Sequence, residues 1–260
     1  MFTLAPAAAS ALRTRLLGLV VLAVACLTAG CAACRSDSTP AARDAALAPF
    51  VLVYLKSGPA SGSGTPDERR AMFAGHMANM QRLAAEERLV IAGPFAKPRD
   101  KTWRGLQLFD VASVDEAQAL AATDPGVIAG EFIAQCVPLR ASPTLRQTLR
   151  LEREMEARAQ SAGAPPRGEG APPTVRAYVL VHAADVERAL GALARTPGAP
   201  RVVWAARRAD APGAGLIALD AESADAVATL LKDADAGACD VDGWWSTVSL
   251  TGLPPEAGRV

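Results

Sequence analysis

The sequence predicts an α+β protein in which one βαββαβ unit is followed by a second unit of the same order. Three observations carry that expectation. Strand-like and helix-like stretches alternate in the same order on both sides of residues 142–173. GLQLFDVASVDEAQAL, from Gly105, matches GLIALDAESADAVATL, from Gly215, at a constant offset of 110 residues. Gly, Leu, Asp, Ser, Asp and Leu agree at matched positions, which marks two copies of one supersecondary unit. Residues 142–173 themselves join a charged stretch to SAGAPPRGEGAPP, and a Pro/Gly run of that kind is a linker.

In the first unit, VLVYL at Val51–Leu55 is a strand by its β-branched and aromatic content. SGPASGSG at 57–64 is a flexible loop, longer than a minimal unit needs. TPDE opens a helix: Thr65 caps it, Pro66 fits the first helical position and Glu68 completes a capping box. The helix is expected to run to about Arg88. LVIAGPF at 89–95 is a strand closing at Gly93-Pro94, and LQLFDV at 106–111 is the next. Ser113 caps a second helix that stops at Asp124-Pro125-Gly126, and FIAQCVPL at 132–139 is the last strand. This order is the split βαβ arrangement of a ferredoxin-like fold. After residue 174, AYVLVHA, DVERALGALA, RVVWAARR, GLIALDA, SADAVATLLKDA and WWSTVSL repeat it. TLRQTLRLEREMEARAQ between the units is an exposed helix supported by pairs such as Arg150 with Glu154.

Residues 1–30 are set apart. Arg13 and Arg15 form a basic start, LLGLVVLAVA runs apolar from Leu16 to Ala25, and LTAGC ends at Cys31. That is the layout of a secretory signal peptide, and the apolar run is shorter than a membrane span. Ala29 and Gly30 directly before Cys31 resemble a bacterial lipobox, in which the cysteine is acylated and becomes the new N-terminus. Several acyl chains anchor firmly where one is marginal. An ordinary cleaved signal or an uncleaved anchor is the alternative, and Cys26 is a second, less suited cysteine. Ala32 and Ala33 lack the Asp that signals inner-membrane retention, so the expected place is the cell envelope and, in a host with two membranes, the periplasmic side of the outer membrane.

Lys+Arg and Asp+Glu both number 27, and zero net charge argues against a nucleic-acid partner held through phosphates. Removing Cys26 and lipidating Cys31 leaves Cys34, Cys136 and Cys239, whose spacing is not that of a metal site. A Cys136–Cys239 disulfide is open to an exported protein. No GxGxxG, P-loop, HExxH or GxSxG is present, so the sequence points to no nucleotide, metal or other cofactor.

The first helix carries the candidate chemistry. Met72, Phe73, His76, Met77, Met80, Leu83 and Ala84 share a face by the i, i+3, i+4 rule, so His76 turns toward the sheet. A buried ring without a partner costs roughly 1–3 kcal/mol. A carboxylate neighbour would orient the ring and support its charged form. By pattern alone such a histidine is a packed core residue, and an Asp before Pro is ordinary turn chemistry.

HMANMQRLAAEERLVIAGPF followed by WRGLQLFDVASVDEAQALAATDPGVIAGEF resembles the YCII-related (YciI-like) family over roughly residues 50–140. The resemblance rests on a helix-borne His, a Gly-Pro after the second strand and an Asp-Pro after the second helix. Here these are His76, Gly93-Pro94 and Asp124-Pro125. It implies a dimeric α/β-barrel-type assembly, with His76 as general acid/base and Asp124 as its orienting carboxylate. It also implies Gly93, Pro94 and Pro125 as binding positions, and proton abstraction and elimination on small, oxygen-rich ring compounds. The family's bulky aromatic after Asp-Pro is replaced by Gly126, which is expected to widen the pocket or remove a substrate contact.

The second unit keeps neither motif. Its first helix has no His, and only Asp233 and Asp235 lie near the place of Asp124. His182, at the place of Tyr54, is expected to be an ordinary strand residue, and of Trp244 and Trp245 one should face the core. The expected organisation is a signal peptide at 1–30, a tether at 31–48, a YCII-like domain at 49–141, a charged helix and linker at 142–173, and a degenerate ferredoxin-like repeat at 174–254. The two repeats would pair within the chain, or a homodimer would form. Two functions fit: a lipid-anchored small-molecule enzyme of lyase or hydrolase type, or a binding or scaffolding lipoprotein with a relic dyad. Cys31→Ser is expected to abolish incorporation of labelled palmitate and to release the chain from the membrane fraction. Label retained in that variant would rule out lipidation at Cys31.

Overall fold

The computed structural model describes residues 47–96, 102–165 and 174–260. The proposed signal peptide, Cys31, nearly all of the tether and residues 166–173 of the Pro/Gly linker lie outside the described residues. Among the described residues no helix is long and apolar enough to cross a membrane.

The order is β1 (Ala48–Ser57), α1 (Pro66–Ala85), β2 (Leu89–Pro94), β3 (Trp103–Phe109), α2 (Val114–Ala121), α3 (Pro125–Ile128) and β4 (Phe132–Ala141). A 3-10 turn, Pro143–Gln147, leads into α4 (Thr148–Ser161). Then follow β5 (Val175–Ala183), α5 (Val186–Arg195), β6 (Val202–Arg208), β7 (Gly215–Leu219), α6 (Ala224–Asp233) and β8 (Cys239–Thr247). Thr65 and Glu68 exchange the two hydrogen bonds of a capping box at the start of α1. The helix ends three residues short of Arg88, because Glu87 takes a left-handed φ of 58° that turns the chain into β2. The last strand starts at Cys239, ahead of the tryptophans, because residues 239–247 pair along β5 from Ala183 back to Val175.

The result is mixed α/β with one antiparallel sheet of eight strands, ordered β2-β3-β1-β4-β6-β7-β5-β8. Each half repeats the same internal order, and the same irregularity recurs where β2 meets β3 and β6 meets β7. The halves join where Leu139 lies opposite Arg208 and the Ala209 N–H donates to the Pro138 carbonyl at 2.9 Å. The two outer strands also meet. Phe95 bridges to Trp244, and the Ala96 N–H donates to the Gly243 carbonyl at 2.7 Å. Ser246 Oγ donates to the Ala92 carbonyl at 2.8 Å and the Trp244 indole to that of Gly93 at 3.3 Å. The sheet therefore closes on itself and leaves no long free edge.

Closure creates three apolar compartments. Phe50, Leu52, Leu106, Leu108, Tyr178, Leu180, Trp204 and Trp244 fill the interior from both halves. One outer layer lies between the first half and its helices, around Val53, Leu83, Phe109 and Phe132. The other lies between the second half and α5 and α6. Trp244 is fully buried and Trp245 is 42% exposed, as strand alternation requires. Cys136 and Cys239 are both free thiols, so the disulfide open to them is not formed.

Gly93 is the tightest point of the closing seam. A Cβ there would stand 1.7 Å from the Trp245 carbonyl oxygen. Gly93→Ala is expected to lower stability by about 2 kcal/mol or more, as overpacking does. Gly62→Ala, at φ +78° with nothing within 4 Å, should cost only about 1 kcal/mol of backbone strain. Urea midpoints of the two variants check this, and equal losses would mean the seam is open in solution.

Candidate functional site

α1 places His76 in the outer layer of the first half. The buried residues of this helix are His76, Asn79 and Leu83, with Met80 packed beside them. Phe73, expected on the buried face, is 41% exposed. It sits on the rim because the stripe that meets the sheet passes through residues 76, 79 and 83, and its ring packs T-shaped against those of His76 and Phe132. Asn79 takes the inward position, a residue that the apolar pattern had passed over.

His76 Nδ1 lies 2.6 Å from Asp124 Oδ2. The side chains are 11% and 2% exposed, so the pair is held away from water yet the ring is not sealed. Local chemistry sets the carboxylate. Asp124 is the N-cap of α3, and its Oδ1 accepts the Gly126 N–H at 2.8 Å. Both oxygens are thus occupied, one by the helix start and one by the imidazole. Pro125 fits the first helical position and packs on α1, where a Cβ on Gly75 would stand 3.0 Å from its Cγ.

Phe132 lies 5.4 Å from the His76 ring and 6.1 Å from the Phe73 ring, centroid to centroid. It also corrects the expectation for Gly126. A Cβ there would stand 2.5 Å from the Phe132 ring, so the space that Gly126 leaves is filled and no wider pocket results. Two shallow cavities lie elsewhere, one of about 360 Å³ beside Leu190 and Val202 and one of about 240 Å³ beside Met155 and Val248. Gly93 and Pro94 stand apart from the dyad's contacts, and Gly93 lets β2 approach β8.

Two networks frame the site. Asn79 Oδ1 accepts from Arg82 at 2.9 Å and from Thr123, next to Asp124, at 3.1 Å. Glu131, 4% exposed, ties down the loop at 57–64. It accepts from Ser61 Oγ at 3.0 Å, the Gly62 N–H at 2.8 Å and Arg104 at 3.0 Å. Glu131 precedes Phe132, so this anchor also holds the ring that faces His76. Neither network shows as a motif, since each joins residues from separate elements.

His182 is more than an ordinary strand residue. Its Nδ1 lies 3.3 Å from Tyr54 Oη, across the interior from the other half. Trp103 sits edge-on to both rings. Burial holds the imidazole below its ordinary pKa, with Arg208 adding and Asp242 and Asp240 opposing. Burial likewise holds the Tyr54 phenol above its ordinary range. Among the described residues no group of three or more His, Cys, Asp or Glu is placed to hold a metal ion.

The fold and site define an antiparallel α+β protein with a helix-borne imidazole–carboxylate pair in its N-terminal half. More particularly, residues 50–138 match the family model of the YCII-related domain. No curated protein matches the chain. Solved structures similar to parts of it include the following three. One is 5-chloro-2-hydroxyhydroquinone dehydrochlorinase from Burkholderia phenoliruptrix AC1100, in complex with 2,5-dihydroxybenzoquinone. It is 24% identical, with 34% of this chain and 89% of that one covered and a TM-score of 0.26. A provisionally assigned chlorite dismutase is 8% identical over 79% of this chain and 99% of its own, with a TM-score of 0.48. A provisionally assigned monooxygenase from Lactobacillus acidophilus NCFM is 10% identical over 82% and 98%, with a TM-score of 0.41.

His182 generates a pH prediction. Its folded pKa lies below the ordinary 6.5, so the unfolded chain binds the proton more readily. The stability this contributes is full above about pH 6.5 and is lost as pH falls below it, by at most about 1.4 kcal/mol per pH unit. His182→Gln should therefore be most destabilising, relative to the parent, near pH 7.5, and the gap should narrow by pH 5.5. Urea unfolding at both pH values checks it.

Proposed function

We propose that this chain is an envelope lipoprotein whose YCII-like domain, residues 49–141, is a small-molecule enzyme of lyase or hydrolase type using His76 and Asp124. The observation that carries the reading is the 2.6 Å contact between His76 Nδ1 and a carboxylate whose other oxygen is already occupied. In the neutral ring Nδ1–H donates to Asp124, which leaves the Nε2 lone pair as the base. Proton transfer from a substrate charges the imidazole, and the adjacent carboxylate supports that charge where water is scarce. In an elimination the proton taken from carbon is returned to the departing group. The match of residues 50–138 to the YCII-related family supports this chemistry. Anchoring through Cys31, facing the periplasm from the outer membrane, rests on the lipobox-like segment.

The second half, residues 174–254, is read as a degenerate ferredoxin-like repeat that completes an intramolecular pseudo-dimer of barrel type. The seams support this. Leu139 opposite Arg208 in one corresponds to Trp244 opposite Phe95 in the other. FVLVYL aligns with YVLVHA, and the aligned Tyr54 and His182, 128 residues apart in the chain, meet each other. Contact between equivalent residues is the signature of a two-fold interface.

A second reading has an observation of its own. His76 is only 8% exposed and flanked by Phe73 and Phe132, which suits a relic dyad in a binding or scaffolding lipoprotein. The test is turnover of a panel of hydroxylated ring compounds by the full chain. Under the enzymatic reading His76→Gln and Asp124→Asn each lower kcat by 10²- to 10⁴-fold, on the order of what general acid–base catalysis contributes. Turnover that survives both substitutions would overturn the role given to the dyad, and no turnover by the parent chain would favour the binding reading.

A further inference from the structure

The layer that holds the dyad contains two amide nitrogens with nothing to bond. Asn79 is 9% exposed and its Nδ2 has no hydrogen-bond partner. Its orientation is set by Arg82, which can only donate and therefore claims the oxygen. The NH2 group is thus turned to the other side, buried and unpaired. Gln107 is 2% exposed and its Nε2 is likewise unpaired. Leu106 and Leu108 point into the closed interior, so Gln107 points the opposite way, into the layer beneath α1. Its strand partners agree: Val53 and Ala92 belong to the same cluster as Leu83 and Met80.

A buried donor without an acceptor costs roughly 1–3 kcal/mol, and native proteins keep few of them. Two of them in the apolar layer that also carries an imidazole–carboxylate pair call for an acceptor. Asn79 follows His76 by three residues on one helical face, where neighbouring Cβ atoms stand about 5–6 Å apart. A base and a donor so placed can engage the hydrogen and the oxygen of adjacent carbons in one molecule.

Resting on the reading of His76 as a base, we propose that Asn79, with Gln107 beneath the same helix, binds the oxygen of a carbonyl substrate bearing a removable hydrogen on the neighbouring carbon. His76 Nε2 takes that hydrogen as a proton. The C–H electron pair becomes the new C=C bond, and the carbonyl π pair moves onto oxygen. Asn79 Nδ2–H donates to the enolate oxygen so formed, while Asp124 holds the imidazolium. Collapse of the enolate returns the proton, either to the same carbon or to a group leaving from the next one.

Hydrogen–deuterium exchange tests this without knowledge of the natural substrate. The probe is cyclohexanone in D2O with the full chain, and proton NMR follows loss of the hydrogens beside the carbonyl. The parent is expected to accelerate exchange above buffer, and His76→Gln to remove the acceleration. Asn79→Leu should lower kcat for exchange about 100-fold with little change in KM, as loss of an oxyanion donor does. Asn79→Asp should lose as much although it keeps an oxygen for Arg82 and Thr123, and a native thermal melt of that variant separates chemistry from folding. If exchange depends on His76 but both Asn79 variants stay within twofold of the parent, the donor assignment falls and the base stands. If Asn79→Asp restores what Asn79→Leu loses, Asn79 acts only through its oxygen, as a positioning residue, and the assignment falls. If no exchange depends on His76, the base reading falls and takes this one with it.

Discussion

An antiparallel sheet of eight strands has two edges, and everything else in this chain depends on their being joined. Unpaired strand edges expose rows of backbone donors and acceptors that recruit other strands. Here β2 meets β8 through backbone and side-chain hydrogen bonds, and β4 meets β6 in the middle of the order. Joining the edges turns the inner faces of both halves into one shared core, which neither half could bury alone. It also leaves the opposite faces free to take helices, and one of those outer layers is where the dyad lies. The close approach at Gly93 is the local condition for this arrangement, since any side chain there would collide with the Trp245 backbone.

Several polar groups inside the apolar layers are tied to groups from other elements. His76 on α1 meets Asp124 at the start of α3. Glu131 at the start of β4 meets the loop before α1 and Arg104 of β3. Tyr54 of one half meets His182 of the other. Such ties contribute little net stability compared with apolar burial, but breaking one leaves its partner unsatisfied and expensive. They fix how elements sit against each other more than how tightly. Buried donors without a partner occur elsewhere too, as at Trp204 Nε1 in the shared interior, but Asn79 Nδ2 and Gln107 Nε2 lie in the layer that carries the His76–Asp124 pair.

Much of the first half was legible in the residues. The capping box at Thr65 and Glu68 and the strand at VLVYL are local features with local causes, and they stand where the sequence puts them, whereas the second helix ends at Ala121 and Asp124-Pro125, read as its stop, instead starts α3. The errors have a common origin. Phe73 counts as apolar in a periodic pattern, and Asn79 does not, yet it is Asn79 that faces inward, because the arc that touches the sheet is set by α3 and β2. Gly126 reads as added space, and Phe132 from a different element occupies it. His182 reads as an ordinary strand residue until the other half brings Tyr54 to it.

The sequence by itself determined the order of elements, the repeat of that order and the candidacy of His76 and Asp124, since periodicity, capping and motif spacing act over a few residues. Only the tertiary structure decided that the two lie within hydrogen-bond reach, that the Gly126 space is filled and that the sheet closes. Those facts depend on contacts between residues far apart in the chain, whose geometry is set by how whole faces pack together.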